Sequence, residues 1–189
     1  MTHATTYMIY THTIAQRIDT AQIERMAREL IELRERRGRL WIAGLGGSAA
    51  NASHAANDFR TLCGIEAYCL TDNVAALTAR ANDSGWNESL AINWAAPEDA
   101  LLILSVGGVA EGVSIPLGKV MVHALNLGLR VLGIVGRDGG LVRKSAHCSV
   151  LIPNVEPERV TPHTEGWQSV VLHCLCSHPE LQTGECTWR

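Results

Sequence analysis

Five short, almost wholly apolar runs alternate with stretches of helical character along the chain. The runs cover residues 40–43, 67–70, 101–104, 131–135 and 149–152, and helices are predicted between and after them at 49–62, 74–82, 113–127, 141–146 and 164–177. Such continuous hydrophobicity is typical of strands buried on both faces of a parallel sheet. Strands that alternate with helices form βαβ crossovers. The sequence therefore predicts an α/β fold, a three-layer αβα sandwich around a five-stranded parallel sheet.

A long amphipathic segment precedes the first strand. Residues 14–36 are rich in helix formers, and Gly38 ends the pattern. Apolar residues recur on a helical spacing, at Ile18, Ile23, Met26, Leu30 and Leu33. This helix lies outside the βαβ pattern, and we expect the same helix of another subunit to cover its apolar stripe. We therefore predict a single domain over residues 1–189, with residues 1–38 used in oligomerisation.

The composition argues against several classes of function. With 47% hydrophobic and 19% charged residues among 189, the chain can build a sizeable core. A formal net charge of -3 offers no basic surface for nucleic acid, and no apolar run reaches the roughly 18 residues of a membrane span. The six cysteines, Cys186 among them, form no C-x-x-C pair, and no export signal is evident. We expect a protein of the reducing cytoplasm, with neither nucleic acid nor membrane as partner.

Two glycine-rich loops follow predicted strands. Gly44-Leu-Gly-Gly-Ser48 runs from the first strand into a helix, and Ser105-Val-Gly-Gly108 leads from the third strand to a helix that begins near Glu111 or Gly112. Backbone N–H groups at such helix starts favour an anion. If the two strands are neighbours where the strand order reverses, both loops face one crevice. The candidate binding residues of these loops are Gly46, Gly47, Ser48, Ser105, Gly107 and Gly108.

The first loop also matches the pattern of a dinucleotide site. Residues 44–49 satisfy G-x-G-x-x-A, and Asp72 follows the second strand. However, the separation between Gly44 and Asp72 exceeds the usual ~20 residues, and little chain remains for a substrate domain. A simpler alternative is that these glycines only let the chain turn sharply.

Two distant stretches each place two chemically active side chains on one helical face. His54 and Asp58 are separated by about one turn, and Glu165 and His173 by about two turns. Two histidines and two carboxylates can bind a divalent ion such as zinc, and they can also transfer protons. The alternative is that His54 and Asp58 form an ordinary surface pair. Because they follow a glycine loop where α/β sheets bind ligands, we predict one polar site built from all four side chains.

Several motifs along the chain combine into a recognisable pattern. They are the entering helix, Gly44-Leu-Gly-Gly-Ser48, His54 with Asp58, residues 77–83 with Gly85-Trp86, Ser105-Val-Gly-Gly108, residues 133–140, and Thr161-Pro-His-Thr-Glu165 leading to His173. Together they resemble the sugar isomerase (SIS) domain family, and within it the phosphoheptose isomerases, over nearly the whole chain. Each motif alone is weak, whereas the combination is specific.

The resemblance implies a flavodoxin-like, doubly wound sheet and a homotetramer whose active sites lie between subunits. The family's zinc and acid–base positions are occupied here by His54, Asp58, Glu165 and His173. One zinc ion per site is therefore expected. The chain departs from the family at two of these positions, since Asp58 replaces a usual Glu and Glu165 a usual Gln. In the loop after the third strand, Gly107 and Ala110 stand where the family has serines.

The activity that the resemblance implies is an aldose–ketose isomerisation of a small sugar phosphate, with sedoheptulose 7-phosphate as the first candidate. Such a reaction moves a proton between adjacent carbons through an enediol, so it needs a base over the carbons and an acid or metal at the oxygens. We expect Asp58 or Glu165 as base and His173 as acid, while His54 orients the substrate or completes a metal site. The alternative is a non-catalytic SIS-domain protein that binds a sugar phosphate or a protein partner.

Four further residues lie near these motifs. Asn82 and Asp83 are candidates for contacts with sugar hydroxyls, but an Asn-Asp pair before glycine also suits a helix end. His163, close to Glu165, is a further candidate for the site. Arg137 precedes a glycine pair and is interpreted as part of a solvated turn.

Overall fold

The computed structural model describes residues 1–110 and 112–183 and contains one sheet of five parallel strands. The strands are β1 (Leu40–Ala43), β2 (Ala67–Cys69), β3 (Ala100–Ser105), β4 (Arg130–Val135) and β5 (Cys148–Leu151). Their spatial order is β2-β1-β3-β4-β5, the flavodoxin-like order of a doubly wound fold. The predicted fold class is confirmed. Glu111 and Cys186 lie outside the described residues.

Seven α-helices occur in the described residues. They are α1 (His3–Arg17), α2 (Thr20–Glu35), α3 (Gly47–Cys63), α4 (Val74–Ser84), α5 (Ile115–Asn126), α6 (Gly140–Ser145) and α7 (Val160–Cys176). Two short 3₁₀ segments, Trp86–Glu88 and Pro157–Arg159, complete the secondary structure of this part of the chain. None of the helices described is long and apolar enough to cross a membrane.

The predicted continuous N-terminal helix is wrong, because the chain breaks between α1 and α2. Ile18 takes an extended conformation, and the Asp19 side chain accepts a hydrogen bond from the backbone N–H of Ala21 at 3.0 Å. An aspartate in this position satisfies a free N–H group at a helix start and so begins a new helix.

The apolar stripe of α2 is buried within the chain itself. Met26, Leu30 and Leu33 are fully buried in a core that they share with α3, α7 and one face of the sheet. Burial of each such side chain contributes about 1.5–3 kcal/mol. The expectation that this stripe needs a second subunit is therefore corrected. Exposed apolar side chains remain on α1 instead, where Met8 is 65% and Ile9 45% exposed.

The strand order places the two glycine loops side by side. After β1 the chain crosses to the outer strand β2, whereas β3 pairs directly with β1 on its other side. The loops that follow β1 and β3 therefore leave neighbouring strands at the same carboxyl edge of the sheet. This is the point of a doubly wound sheet where ligands bind. Helix α3 begins at this edge, and α7 packs beside it.

Candidate active site

Helices α3 and α7 run side by side and contact each other at three levels. At the first level Ser48 meets Gln168, at the second Asp58 meets His173, and at the third Cys63 meets Cys176. Residue numbers rise together on both helices, so the two helices are parallel. The α3 residues that pack into the core between these levels include Ala52 and Ala55, whose small side chains allow a close approach. The site is thus built on a helix–helix interface.

The middle level brings three of the four predicted side chains together. Asp58 Oδ2 lies 3.2 Å from His54 Nε2 and 3.7 Å from His173 Nε2. The two imidazoles meet edge to face with their centroids 5.0 Å apart. Asp58 is 4% exposed, whereas the His54 and His173 side chains are about half exposed. A buried carboxylate therefore lies beneath two imidazoles that reach solvent.

This cluster has the donors and the spacing of a metal site. One nitrogen from each of His54 and His173 and one oxygen of Asp58 lie within 4.8 Å of one another. Zinc takes such ligands at about 2.0–2.2 Å, so tetrahedral donors lie roughly 3.3 Å apart. The distances of 3.2 and 3.7 Å from Asp58 match this spacing. Three protein ligands leave a fourth position open, as in catalytic zinc sites.

The fourth predicted side chain, Glu165, lies elsewhere. Its carboxylate packs against Gly47 at the beginning of α3, where a Cβ on that glycine would overlap it. Glu165 precedes His173 by two turns of α7, which is roughly 12 Å along the helix axis. A carboxylate at a helix N-terminus is favoured by the helix dipole. The structure therefore separates Glu165 from the group formed by His54, Asp58 and His173.

A buried polar network at the first level joins the two helices. Gln168 is fully buried, and its Oε1 accepts hydrogen bonds from Ser48 Oγ at 3.0 Å and Asn51 Nδ2 at 3.1 Å. Ser169 Oγ donates to Asn51 Oδ1 at 2.8 Å. The sequence interpretation missed Gln168, Asn51 and Ser169. A signal was present, since Asn51 precedes His54 and Asp58 on the same helical face.

A cavity of about 360 Å³ opens at the carboxyl edge of the sheet, between the loops after β1 and β3. Ser48, Ser105, Gly107 and Arg137 are among its lining residues. The Ser48 hydroxyl donates to Gln168, so its proton is already used. Ser105 Oγ accepts the backbone N–H of Gly108 at 3.1 Å and keeps its own proton to donate.

Arg137 lies on an exposed turn, as the sequence predicted, and it is also the charged residue that lines this cavity. Its φ of 51° is left-handed, a conformation that costs a non-glycine residue about 1–3 kcal/mol and is concentrated at functional sites. No ion pair or hydrogen bond is found for its guanidinium within the described part of the chain. The side chain therefore offers a free positive charge to a ligand in the cavity.

The other predicted residues fall into three groups. Gly46 and Gly108 take left-handed conformations with φ of 61° and 63°, so they shape the two loops. Asn82 and Asp83 are exposed at the end of α4, bonded to each other, and do not line this cavity. His163 is buried and stacks on Tyr7 of α1 at 4.3 Å between centroids. Burial lowers the pKa of His163, and the residue anchors α1 rather than joining the cluster.

Comparison with known proteins finds several relatives that are phosphoheptose isomerases. Phosphoheptose isomerase of Helicobacter pylori strain P12 is 32% identical over 155 residues, which cover 78% of this chain and 77% of that protein. Phosphoheptose isomerase of Chlorobium phaeobacteroides is 36% identical over 150 residues, 72% of this chain and 63% of that protein. The structure of phosphoheptose isomerase GmhA from Neisseria gonorrhoeae has the same fold, with a TM-score of 0.79 at 21% identity over 92% of this chain and 95% of that one. No protein-family model matches the chain.

Proposed function

The chain belongs to the phosphoheptose isomerase family, and from this we propose that it interconverts sedoheptulose 7-phosphate and an aldoheptose 7-phosphate through an enediol. Membership makes the chain a sugar-phosphate isomerase rather than a non-catalytic binding protein. The observation that carries the proposed reaction is the convergence of His54, Asp58 and His173 on neighbouring helices. These helices adjoin the loop cavity through Ser48, which lines it.

The phosphate end of the substrate is assigned to the loop cavity. Ser105 supplies a hydroxyl donor, Gly107 an open stretch of backbone, and Arg137 a positive charge. Hydrogen bonds to a charged group contribute about 1.5–3 kcal/mol each. A guanidinium offers a phosphate two parallel donors. Arg137 thus compensates for the two serines that this loop lacks.

The proton transfer is assigned to Asp58 and His173. An enediol forms when a base removes a proton beside a carbonyl while an acid protonates the carbonyl oxygen, so both groups must reach adjacent atoms. Asp58 Oδ2 lies 3.7 Å from His173 Nε2, whereas Glu165 lies about two helical turns away from that histidine. Asp58 Oδ2 faces both imidazoles, and Oδ1 accepts a hydrogen bond of 3.3 Å from the Asn57 amide. One oxygen can therefore be held while the other takes the proton.

His54, Asp58 and His173 are also proposed to hold a zinc ion, which would polarise the carbonyl oxygen as a Lewis acid when bound. In that state the ion would act at the carbonyl oxygen in place of His173, and the Asp58 oxygen that does not bind the ion would serve as the base. His54, at 3.2 Å from Asp58, keeps that carboxylate oriented beneath the two rings. Glu165, whose carboxylate packs against Gly47, is assigned no part in the proton transfer or in zinc binding.

The assembly is proposed to be a homotetramer with sites between subunits, in the cytoplasm. The exposed Met8 and Ile9 of α1 give an apolar surface for a second copy. Asn82 and Asp83, exposed on α4, are then available to the cavity of a neighbouring subunit. The five described cysteines are free thiols, as suits a reducing compartment.

The test is incubation of the purified, zinc-supplemented protein with sedoheptulose 7-phosphate in D₂O. An enediol that exchanges its proton with solvent gives an aldoheptose phosphate with deuterium at the carbon beside the carbonyl, which NMR detects. If the folded protein forms no product and incorporates no deuterium, this substrate is ruled out. Other ketose phosphates tested in the same way would then show whether the chemistry is retained on a different sugar.

A further inference from the structure

We propose that Gln168 is a positioning residue, whose side-chain amide sets the height of α7 relative to α3 and so brings His173 level with Asp58. Its consequence for catalysis rests on the proposed isomerase function. Its structural content rests on the contacts that Gln168 makes with α3 and β4 and is independent of that function. The hydrogen bonds of the Gln168 side chain go to Ser48, Asn51 and Ile134, so it acts on the cluster through the register of the helices.

The hydrogen bonds of Gln168 reach two other elements. Oε1 accepts from Ser48 and Asn51, both on α3, and Nε2 donates to the carbonyl of Ile134 in β4 at 3.4 Å. The side chain has zero exposure. If a buried amide moves away from its partners, no water replaces the broken hydrogen bonds. The Gln168 side chain therefore strongly prefers one position. Gln168 therefore joins α7, α3 and the sheet at one point.

Asn51 strengthens the same link from the α3 side. Its Nδ2 also donates to the backbone carbonyl of Glu165 at 2.8 Å, and its Oδ1 accepts from Ser169. These bonds hold the same level of the two helices, and Gln168 adds the attachment to β4. The side chains of Asn51 and Gln168 together form a clamp between the helices.

The clamp lies close to the reacting groups. Asn51 precedes His54 by three residues, and Gln168 precedes His173 by five. A slide of one residue moves a helix by about 1.5 Å along its axis, enough to take His173 out of reach of Asp58. Between the clamp and the cluster, Ala52 and Ala55 bury only small apolar side chains, and apolar contacts are non-directional. The hydrogen bonds of the clamp supply the register that these contacts lack.

The experiment compares the native chain with Gln168→Leu, which keeps the side-chain size and removes all three bonds. Leu175→Ala is the matched control, because Leu175 is fully buried on the same helix and lies outside the clamp. Crystal structures, melting temperatures and steady-state kinetics with sedoheptulose 7-phosphate are measured for all three proteins. Asn51→Ala, at a half-buried position, replaces Gln168→Leu if that variant does not fold.

In Gln168→Leu we expect the distance between Asp58 and His173 to exceed about 4 Å, the limit of an ion pair. We expect kcat to fall by roughly 10–100-fold, the usual effect of losing a residue that orients site ligands. KM should change little, because the phosphate contacts lie on the loops. Leu175→Ala should lower the melting temperature at least as far and keep both the distance and kcat.

Two results would overturn the proposal. One is an unchanged Asp58–His173 distance in Gln168→Leu. The other is a loss of kcat in Leu175→Ala as large as that in Gln168→Leu at the same loss of melting temperature. If the native chain does not turn over the sugar phosphate, the proposed function fails, and the crystallographic distance still decides the role of Gln168.

Discussion

Replacement of Asp58 by asparagine tests which of the two carboxylates takes the proton. Asparagine keeps the shape of the side chain, so packing between α3 and α7 should persist, but it cannot serve as a base. Loss of a general base lowers the rate by about 10²–10⁴-fold, equivalent to roughly 2.7–5.4 kcal/mol in the barrier. We expect kcat of Asp58→Asn to fall by this factor, and deuterium exchange into the substrate to fall with it.

Glu165→Gln is the matched control for this prediction. Like Asp58→Asn, it replaces one carboxylate with an amide, here at a position where the family usually has glutamine. Because Glu165 packs against Gly47 and lies outside the cluster, we expect kcat to stay within about threefold of the native value, a change of less than 1 kcal/mol.

The assay is NMR of sedoheptulose 7-phosphate in D₂O, with melting temperatures measured in parallel. An isosteric change that costs 1 kcal/mol shifts the melting temperature of a chain of this size by about 2–4 °C, so a larger shift in Asp58→Asn would indicate lost packing. The assignment of the base is refuted if Glu165→Gln loses as much activity as Asp58→Asn, or if Asp58→Asn stays within about tenfold of the native rate.

Three further changes have defined outcomes. Arg137→Gln should raise KM for the phosphorylated sugar by about tenfold or more and leave the unphosphorylated sugar unaffected; equal effects on both would exclude a phosphate contact. Elemental analysis after zinc supplementation should find one zinc per chain, and none in His54→Ala. In Asp99→Asn the melting temperature should fall less steeply with decreasing pH in the acidic range than it does in the native chain. Burial raises the pKa of Asp99, but hydrogen bonds from Ala96, Arg39 and Trp41 outweigh burial and lower it overall. Its stabilisation is thus present above the ordinary pKa of about 3.9 and lost as the pH falls through the lower folded value.

The strands could be predicted closely because their pattern is local. Each is a short apolar run with both faces buried, and the predicted bounds differ from those of the structure by at most one residue. The break at Asp19 was missed although the sequence carried its signal, an aspartate two residues before Ala21 in a capping position. Ile14, Ile18 and Ile23 continue an apolar pattern across the break, and that longer pattern suggested a single helix.

The candidate site could be predicted only as far as helical periodicity reaches. A spacing of four or eight residues fixes which face of a helix a side chain occupies, and it correctly placed His54 with Asp58. It does not fix the height at which one helix meets another. Glu165 and His173 share a face of α7, yet only His173 lies level with Asp58, because α7 meets α3 with Gln168 level with Asn51. That height depends on tertiary hydrogen bonds between residues more than a hundred positions apart, such as Ser48 and Gln168. The placement of Glu165 therefore required the packed helices, and the same contacts that separate it from the cluster bring the other three side chains together.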